Sequence, residues 1–375
     1  MLQPQTLSDL NKAFESSPGG FLVVDSGRPR FAVLDYQTYQ SLHKKPAPGQ
    51  KPKKILVTGG AGYIGSVTVK QLRDNGYDVV VFDNLSTGRA ESVSDVRLVH
   101  ADLLDRAALE KVFSEEKFDA VLHFAACLEV EESVINPAKY FQNNIVGGLN
   151  LLDAMVGHGV EQIVFSSSAT VYGEHNTMPL SEESASAPKN PYGETKLMFE
   201  RVLSAYATAY GLRAVTLRYF NAAGAWPEAG LGYRIDDNSL LIPRVMNVAV
   251  GRVSEIMVNG QDYPSADGTC IRDYIHVMDL GEAHVLALTH MADLVSGNHI
   301  YNVGTGRGNS VLEVIEAAVE VTGRMIPMNV GPRRPGDLPE SVADSSKFQK
   351  DFGWSPKHDL LSILRSSWEW HQTQV

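Results

Sequence analysis

A tyrosine and a lysine stand four positions apart in the stretch NPYGETK, where Tyr192 precedes Lys196. On an α-helix, positions i and i+4 lie on one face. Asn190 can cap such a helix and Pro191 suits its first turn, so the sequence predicts a helix start here. A positive charge close to a phenol favours the phenolate. The pair is therefore a candidate acid–base centre, although many helices carry a Tyr–Lys pair that does no chemistry.

A glycine-rich stretch, VTGGAGYIG, holds Gly59, Gly62 and Gly65 between a strand-like run and a helix-like run. Glycines in this context allow a tight turn and let a pyrophosphate approach the backbone at the positive end of a helix. Asp83 ends the next strand-like run. A carboxylate at that place accepts hydrogen bonds from the adenosine ribose and repels a 2′-phosphate, so NAD is favoured over NADP. Asp102, after the third run, is expected near the adenine.

The elements that must position these residues follow a regular rhythm from Lys54 onwards. Short Val/Ile/Leu-rich runs, such as KKILVTGG, YDVVVFDN, FDAVLHFAA and EQIVFSSS, alternate with helix-like segments. Continuous apolar strands between helices indicate a parallel sheet that is covered on both faces. The predicted fold is α/β, a Rossmann-type doubly wound parallel sheet over residues 55–220. A smaller, discontinuous C-terminal substrate domain over 221–375 sends parts back to the sheet.

The first 43 residues form a separate segment, an expected α+β appendage of unknown function. A short helix over residues 6–14 and a β-hairpin around Asp25, Ser26 and Gly27 are predicted. The hairpin loosely resembles that of Phd/YefM-type antitoxins, but an appendage to the main domain is the favoured interpretation. Residues 44–54 are rich in Pro, Lys and Gly and are predicted to be a linker.

Composition narrows the function further. The 375 residues carry a net charge of −11, which argues against nucleic acid or an anionic membrane surface as the main partner. No apolar run is long enough for a transmembrane helix, and the N-terminus lacks a signal-peptide pattern. Two cysteines, Cys127 and Cys270, are too few for a disulfide scaffold or a cysteine metal site. A cytoplasmic enzyme without a metal is expected.

Seven stretches occur together in a particular order: TGGAGYIGS, FDNLSTG, SSSATVYGE, NPYGETK, RYFNAAGA, GTCIRDYIHVMDL and RRPGDLPE. From about Lys54 to the C-terminus the chain thereby resembles the extended short-chain dehydrogenase/reductase family, and within it the NAD-dependent sugar-nucleotide 4-epimerases. The resemblance implies that Ser168 bonds the reacting oxygen and that Tyr192 takes its proton. Lys196 then supports the phenolate and holds the nicotinamide ribose.

The resemblance also implies ligand contacts and a partner. For the cofactor NAD they are Gly59, Gly62, Tyr63, Ile64, Gly65, Asp83, Asn84, Asp102, Leu103, Phe124, Ala125, Ala126, Asn143, Tyr192, Lys196 and Tyr219. For a UDP-sugar they are Ser168, Tyr192, Asn221, Leu241, Arg272, Arg334, Asp337 and Ser341. Arg272 and Arg334 would bind the pyrophosphate and Asp337 the uridine ribose. A homodimer would form through two helices, around Asn143–His158 and Pro191–Tyr210.

The implied activity is interconversion of UDP-glucose and UDP-galactose at C4 through a 4-keto intermediate. Ala169 and Thr170 stand where related dehydratases carry an acidic residue, so dehydration is disfavoured. Leu128 and Leu240 depart from residues common in relatives. Ser341 replaces a bulky tyrosine of some epimerases, which leaves room for an N-acetyl group. Two alternatives stay open, a UDP-pentose or UDP-uronate 4-epimerase and a non-catalytic NAD-sensing regulator.

Overall fold

A computed structural model describes residues 21–25, 28–33, 53–174, 176–233, 240–334 and 337–374. The chain divides into two compact units, residues 1–50 and 51–375. In the first, strands β1 (Phe21–Asp25) and β2 (Arg28–Val33) pair antiparallel, so the predicted hairpin is present. The predicted helix over residues 6–14 and most of the predicted linker, residues 44–52, lie outside the described residues.

The second unit is built on a parallel sheet of seven strands. Their order is β12-β8-β7-β6-β3-β4-β5, and every neighbouring pair is parallel, which confirms the predicted Rossmann-type fold. The chain leaves β3 toward one edge and continues from β6 toward the other, so the crevice at the strand ends opens between β3 and β6. The seven strands are β3 (Lys54–Thr58), β4 (Asp78–Asp83), β5 (Arg97–His100), β6 (Ala120–His123), β7 (Gln162–Ser166), β8 (Arg213–Tyr219) and β12 (Gly297–Val303).

Helices cover both faces of this sheet because its strands are apolar on both sides. On one face, Val69 and Leu72 pack with Leu280 and Ala283 over the strands. The opposite face has its own core cluster of helix residues. The helices are α1 (Tyr63–Asp74), α2 (Arg106–Glu115), α3 (Val130–Ile135), α4 (Pro137–Tyr140), α5 (Gly147–Gly157), α6 (Pro191–Tyr210), α7 (Leu241–Ala249), α8 (Val277–His290), α9 (Val311–Thr322), α10 (Ser346–Phe352) and α11 (Leu360–Thr373).

α1 and α8 lie on the first face, and α2, α5 and α6 lie on the second. A π-helical turn, Phe141–Val146, joins α4 to α5. Among the described residues, none of these helices combines the length and apolar character that a membrane crossing requires.

The C-terminal region builds a third core cluster from α7, α9 and α11. Strand β11 (Ile271–His276) runs through this region, with β9 (Asn221–Ala223), β13 (Gly308–Ser310) and β15 (Glu340–Ser341) paired to it. A separate parallel pair joins β10 (Ile256–Asn259) to β14 (Met328–Gly331). Strand β12 and helix α8 come from the same part of the sequence, but β12 completes the large sheet and α8 packs on it.

Candidate active site

The glycine-rich loop joins β3 to α1, and at two of its glycines the neighbouring backbone leaves no room for a side chain. Gly59 has φ +71°, and a Cβ there would lie 2.5 Å from the backbone nitrogen of Ala125. A Cβ on Gly65 would lie 2.2 Å from the Gly59 carbonyl oxygen. Gly62 caps α1 without a side chain, so the first amide groups of the helix stay available to an anion. The loop therefore has the form of a pyrophosphate cradle.

Two carboxylates, those of Asp83 and Asp102, accept hydrogen bonds at the edge of this cradle. The Asp83 side chain accepts hydrogen bonds from the backbone amides of Ala61 at 2.9 Å and Leu85 at 2.8 Å. The side-chain amide of Asn84 donates a hydrogen bond to the Asp102 carboxylate at 2.7 Å. A carboxylate has further lone pairs, so Asp83 can still accept from a ribose hydroxyl. Together with the glycine cradle, this arrangement fits NAD.

A single large cavity of about 480 Å³ connects the cradle to the C-terminal region. That volume lies within the range usual for small-molecule sites. Twenty of the predicted site residues line it: Gly59, Gly62, Tyr63, Ile64, Gly65, Asp83, Asn84, Asp102, Leu103, Phe124, Ala125, Ala126, Asn143, Ser168, Tyr192, Tyr219, Asn221, Arg272, Asp337 and Ser341.

Ser168 and Tyr192 meet in this cavity from two different elements. Ser168 follows β7, and Tyr192 lies in the first turn of α6, where the Asn190 side chain accepts from the Gly193 amide at 2.8 Å. Burial raises the pKa of Tyr192, while its hydrogen bond with the Ser168 hydroxyl acts in the opposite direction. A phenolate at this position therefore needs a nearby positive charge.

Lys196 provides such a charge from beneath the ring. Its ammonium group is buried, lies 5.7 Å from the centre of the Tyr192 ring and donates to the Ser166 carbonyl at 2.8 Å. Burial lowers the pKa of Lys196 to about 7, and the charge of Glu200 opposes that shift. The predicted helix start at Asn190 and the shared helix face of the pair are both present.

At the other end of the cavity, Arg272 and Asp337 lie side by side. Their closest nitrogen and oxygen atoms are 3.7 Å apart. Arg272 lies in β11, directly opposite Ser341 in the parallel neighbour β15. A guanidinium and a carboxylate in this arrangement can bind a phosphate and a ribose diol, respectively.

Three predicted residues do not line the cavity, each for a physical reason. Lys196 turns toward the carbonyl of Ser166 and stays behind the tyrosine ring. Leu241 packs on the third core cluster, and its neighbour Leu240 lines the cavity in its place. Arg334 forms an ion pair with Glu131 at 3.2 Å, so the two predicted phosphate-binding arginines do not converge in this structure.

Several lining residues were not predicted from the sequence. Arg89 and Lys189 add positive charge, and Tyr233 packs edge-on against Tyr63, with ring centres 5.1 Å apart. Lys189 directly precedes Asn190, the predicted cap of the helix that carries Tyr192, so its place near the site could have been predicted from the sequence. Tyr233 carried no local signal, because its position depends on the fold of the C-terminal region.

The seven-stranded order, the glycine cradle and the Ser–Tyr–Lys arrangement define a short-chain dehydrogenase/reductase of the extended type. Within the described residues, no cluster of three or more His, Cys, Asp or Glu side chains is placed to hold a metal ion.

Comparison with known proteins agrees with this class. Residues 55–304 match the NAD dependent epimerase/dehydratase family. The UDP-glucose 4-epimerase of Halalkalibacterium halodurans is 48% identical over 320 residues, covering 85% of this chain and 95% of that protein.

Two solved structures extend the comparison. The UDP-glucose 4-epimerase of Stenotrophomonas maltophila, with bound NAD and formylated UDP-arabinopyranose, has a TM-score of 0.83 and 42% identity, covering 86% of this chain and 98% of that one. The UDP-Glc/GlcNAc 4-epimerase of Campylobacter jejuni has a TM-score of 0.75 and 41% identity, covering 86% and 99%.

The chain belongs to the NAD-dependent epimerase/dehydratase family, and within it to the UDP-glucose 4-epimerases. Its cofactor is NAD.

Proposed function

We propose that the protein interconverts UDP-glucose and UDP-galactose by inverting C4 of the hexose. One observation carries this proposal: the glycine cradle, the Ser168–Tyr192 pair and the Arg272–Asp337 pair all line one cavity. A cofactor at one end and a nucleotide at the other would bring the sugar to Tyr192. The named relatives support this assignment.

The proton chemistry falls to three side chains. Tyr192 takes the proton from the 4-hydroxyl as C4 becomes a carbonyl, and returns it when the hydroxyl forms again on the opposite face. Ser168 bonds the same oxygen and keeps it next to Tyr192. The Lys196 ammonium makes the phenolate accessible at neutral pH through its charge. Ala169 and Thr170 supply no carboxylate there, which disfavours elimination of water.

Bound NAD would supply the hydride chemistry at C4, as acceptor when the carbonyl forms and as donor to the other face of the sugar. Gly59, Gly62 and Gly65 would hold its pyrophosphate, and Asp83 its adenosine ribose. Lys196 and Tyr192 would both contact the nicotinamide ribose. The remaining cavity residues predicted for the cofactor would surround its rings.

The substrate end is proposed to hold the nucleotide. Arg272 and Asn221 would bind the diphosphate of the UDP-sugar, and Asp337 would bind the uridine ribose. Arg334 would join them by leaving its ion pair with Glu131. Leu241 would be a further substrate contact, and the backbone at Leu240 would serve the substrate phosphate. These roles match a cofactor domain over 55–220 and a mainly substrate-binding domain over 221–375, parts of which return to the cofactor domain, a division that we also propose.

Ser341 is proposed to widen the range of sugars. Its small side chain lines the cavity, and its strand is fixed by pairing with β11. Space at that point accommodates an N-acetyl group on C2, so UDP-N-acetylglucosamine would be accepted too. The Campylobacter jejuni relative, named a UDP-Glc/GlcNAc 4-epimerase, supports this extension.

The assignment is tested with purified protein and UDP-galactose, following UDP-glucose by chromatography. Formation of an equilibrium mixture of the two sugars supports epimerisation. If no UDP-glucose forms, the alternative of a non-catalytic NAD-sensing regulator is favoured. A panel of UDP-hexoses, UDP-pentoses and UDP-uronates then identifies the sugar. Preference for a uronate or pentose over both hexoses would contradict the assignment.

A cytoplasmic homodimer is the proposed working form. Val146, in the π-helical turn before α5, and Tyr210, at the end of α6, are large apolar side chains that stay exposed in the single chain. Pairing these helices with their copies would cover both residues. Light scattering should give twice the chain mass for the wild type, and Tyr210→Glu should shift it toward the monomer. Cell fractionation tests the location.

A further inference from the structure

A buried carboxylate lies one helical turn beyond Lys196. Glu200 occupies position i+4 on α6, and both side chains are almost fully buried. Its Oε1 atom accepts from the Ser167 hydroxyl at 2.6 Å and from Arg218 Nε at 3.0 Å. Its Oε2 atom accepts from Arg218 Nη2 at 2.6 Å. Three hydrogen bonds to two separate elements hold this carboxylate in place.

Both partners are sequence neighbours of residues at the reaction centre. Ser167 lies between Ser166, whose carbonyl accepts from Lys196, and Ser168. Arg218 precedes Tyr219, whose hydroxyl bonds the Ser166 hydroxyl at 2.7 Å. Glu200 thus connects α6, the serine segment after β7, and β8. A shift of any one of these would move the acid–base centre.

We propose that Glu200 is a positioning residue, which fixes the serine segment against α6 and so holds Ser168 and Lys196 in place. This inference rests on the proposed epimerase activity and deepens it. A buried ion pair is often no more stabilising than apolar residues of the same volume. Its place one helical turn after Lys196 and its hydrogen bond with Ser167, the neighbour of Ser168, therefore point to a role in the geometry of the site.

Several titratable groups lie near Lys196. Burial lowers the pKa of Lys196 to about 7, and the negative charge of Glu200 raises it. His123, at the end of β6, is neutral because burial lowers its pKa to about 3. The guanidinium of Arg218 lies behind Glu200 and offsets part of its charge. Tyr192 on its own helix and Cys127 after β6 are further titratable groups close to Lys196, and Tyr219 bonds the hydroxyl of Ser166.

The test compares Glu200→Gln with a matched control, Glu161→Gln. Glu161 also pairs with an arginine of β8, Arg213, at 3.6 Å, but at the opposite end of the strand. With UDP-galactose as substrate, Glu200→Gln should lower kcat at least about tenfold, as expected when a catalytic group loses its protonation and position. The alkaline fall of its kcat profile should move to lower pH, because an uncharged residue no longer supports the ammonium. Glu161→Gln should keep the wild-type kcat and profile.

Glu200→Gln leaves the Arg218 charge buried without its partner, so this variant could lose activity simply by misfolding. A second variant separates that effect from the positioning role. Glu200→Gln combined with Arg218→Met removes the stranded charge. It should unfold near the wild-type temperature yet keep the reduced kcat. Wild-type kcat with an unchanged pH profile in the folded double variant would overturn the proposal.

A crystal structure of Glu200→Gln separates this inference from the activity assignment. The contact between Lys196 Nζ and the Ser166 carbonyl, 2.8 Å in the wild type, should lengthen or break. If the wild type fails to convert UDP-galactose, the proposed function fails, but this distance still tests the positioning role. An unchanged contact and serine segment would contradict that role.

Discussion

The ammonium group of Lys196 lies 5.7 Å from the centre of the Tyr192 ring, on the same face of α6. That group donates its hydrogen bond to the Ser166 carbonyl and not to the phenol. The lysine therefore acts on the tyrosine through its charge, across a short buried distance where water screens little. Ser168 supplies the direct hydrogen bond that the phenol needs.

Replacing Tyr192 by Phe removes only the ionisable oxygen. We expect the variant to fold and retain NAD, while turnover of UDP-galactose falls by about 10²–10⁴-fold, the usual worth of a positioned acid–base group. Tyr301→Phe is the control, since that hydroxyl contacts Asp351 at 3.2 Å, away from the cavity. Near-normal turnover by Tyr192→Phe would show that NPYGETK is only a helix start.

Gly65→Ala should empty the cofactor site. A Cβ there would lie 2.2 Å from the Gly59 carbonyl, so the cradle must deform, at a cost of about 1–3 kcal/mol in stability. NAD released on denaturing the purified protein should drop sharply. Gly157→Ala is the matched control, because nothing lies within 4 Å of its Cβ and the residue ends α5. Equal NAD content in both variants would contradict the cradle.

The two arginines predicted for the pyrophosphate should differ in importance. Arg272 lines the cavity, whereas Arg334 is paired with Glu131. A hydrogen bond to a charged group contributes about 1.5–3 kcal/mol, so Arg272→Ala should weaken UDP binding about 10–150-fold. Arg334→Ala should weaken it less, and Arg333→Ala, an exposed residue paired with Asp262, should not change it. Calorimetric titration with UDP measures all three, and the reverse order of effects would be evidence against this arrangement.

Ser341→Tyr should narrow the range of sugars. Ser341 lines the cavity and pairing with β11 fixes its backbone, so we expect the added ring to enter the cavity. Turnover of UDP-N-acetylglucosamine should fall at least about tenfold relative to UDP-galactose. Ser341→Ala keeps the space and should retain both activities. The proposal of a wide pocket is wrong if neither the wild type nor Ser341→Tyr turns over the N-acetylated sugar.

Stability should depend on pH through His358. The side-chain hydrogen bond with Asp279, 2.7 Å long, raises the pKa of His358 above its ordinary value of 6.5. A raised folded pKa means that the added stability is fully present below pH 6.5 and is lost as pH rises through the folded value. His358→Gln should therefore cost more free energy of unfolding at acidic than at alkaline pH, by about 1 kcal/mol, because the His358 ring is partly exposed although Asp279 is buried.

Urea unfolding at both pH values measures this difference. His276, stacked on His358 with ring centres 4.2 Å apart, acts with the opposite sign, because burial lowers its pKa to about 4. The charge of His358 contributes to that lowering, so part of this opposite effect is lost together with His358 in the variant. The exposed pair of His290 and Asp293 provides a control, since His290→Gln should change stability little at either pH. An equal cost of His358→Gln at both pH values would contradict the ion pair.

Local patterns in the sequence were sufficient to predict the sheet and the cofactor end of the site. Glycines spaced along a tight turn, an acidic residue at the next strand end and a helix cap at Asn190 each depend on neighbours within a few positions. Most predicted cofactor residues accordingly line the cavity. The late strand β12, distant in the chain, joins the sheet because its apolar residues need the same cover as the earlier strands.

The sequence by itself determined the parallel fold, the glycine cradle and the helix that carries Tyr192 and Lys196. Only the tertiary structure decided that Lys196 contacts Ser166, that Glu200 joins Ser167 to Arg218, and that Arg334 turns to Glu131. These contacts join residues from separate elements, and the direction of a long charged side chain depends on which partner the fold brings near. Spacing along the chain encodes helix faces and turns, but not those partners.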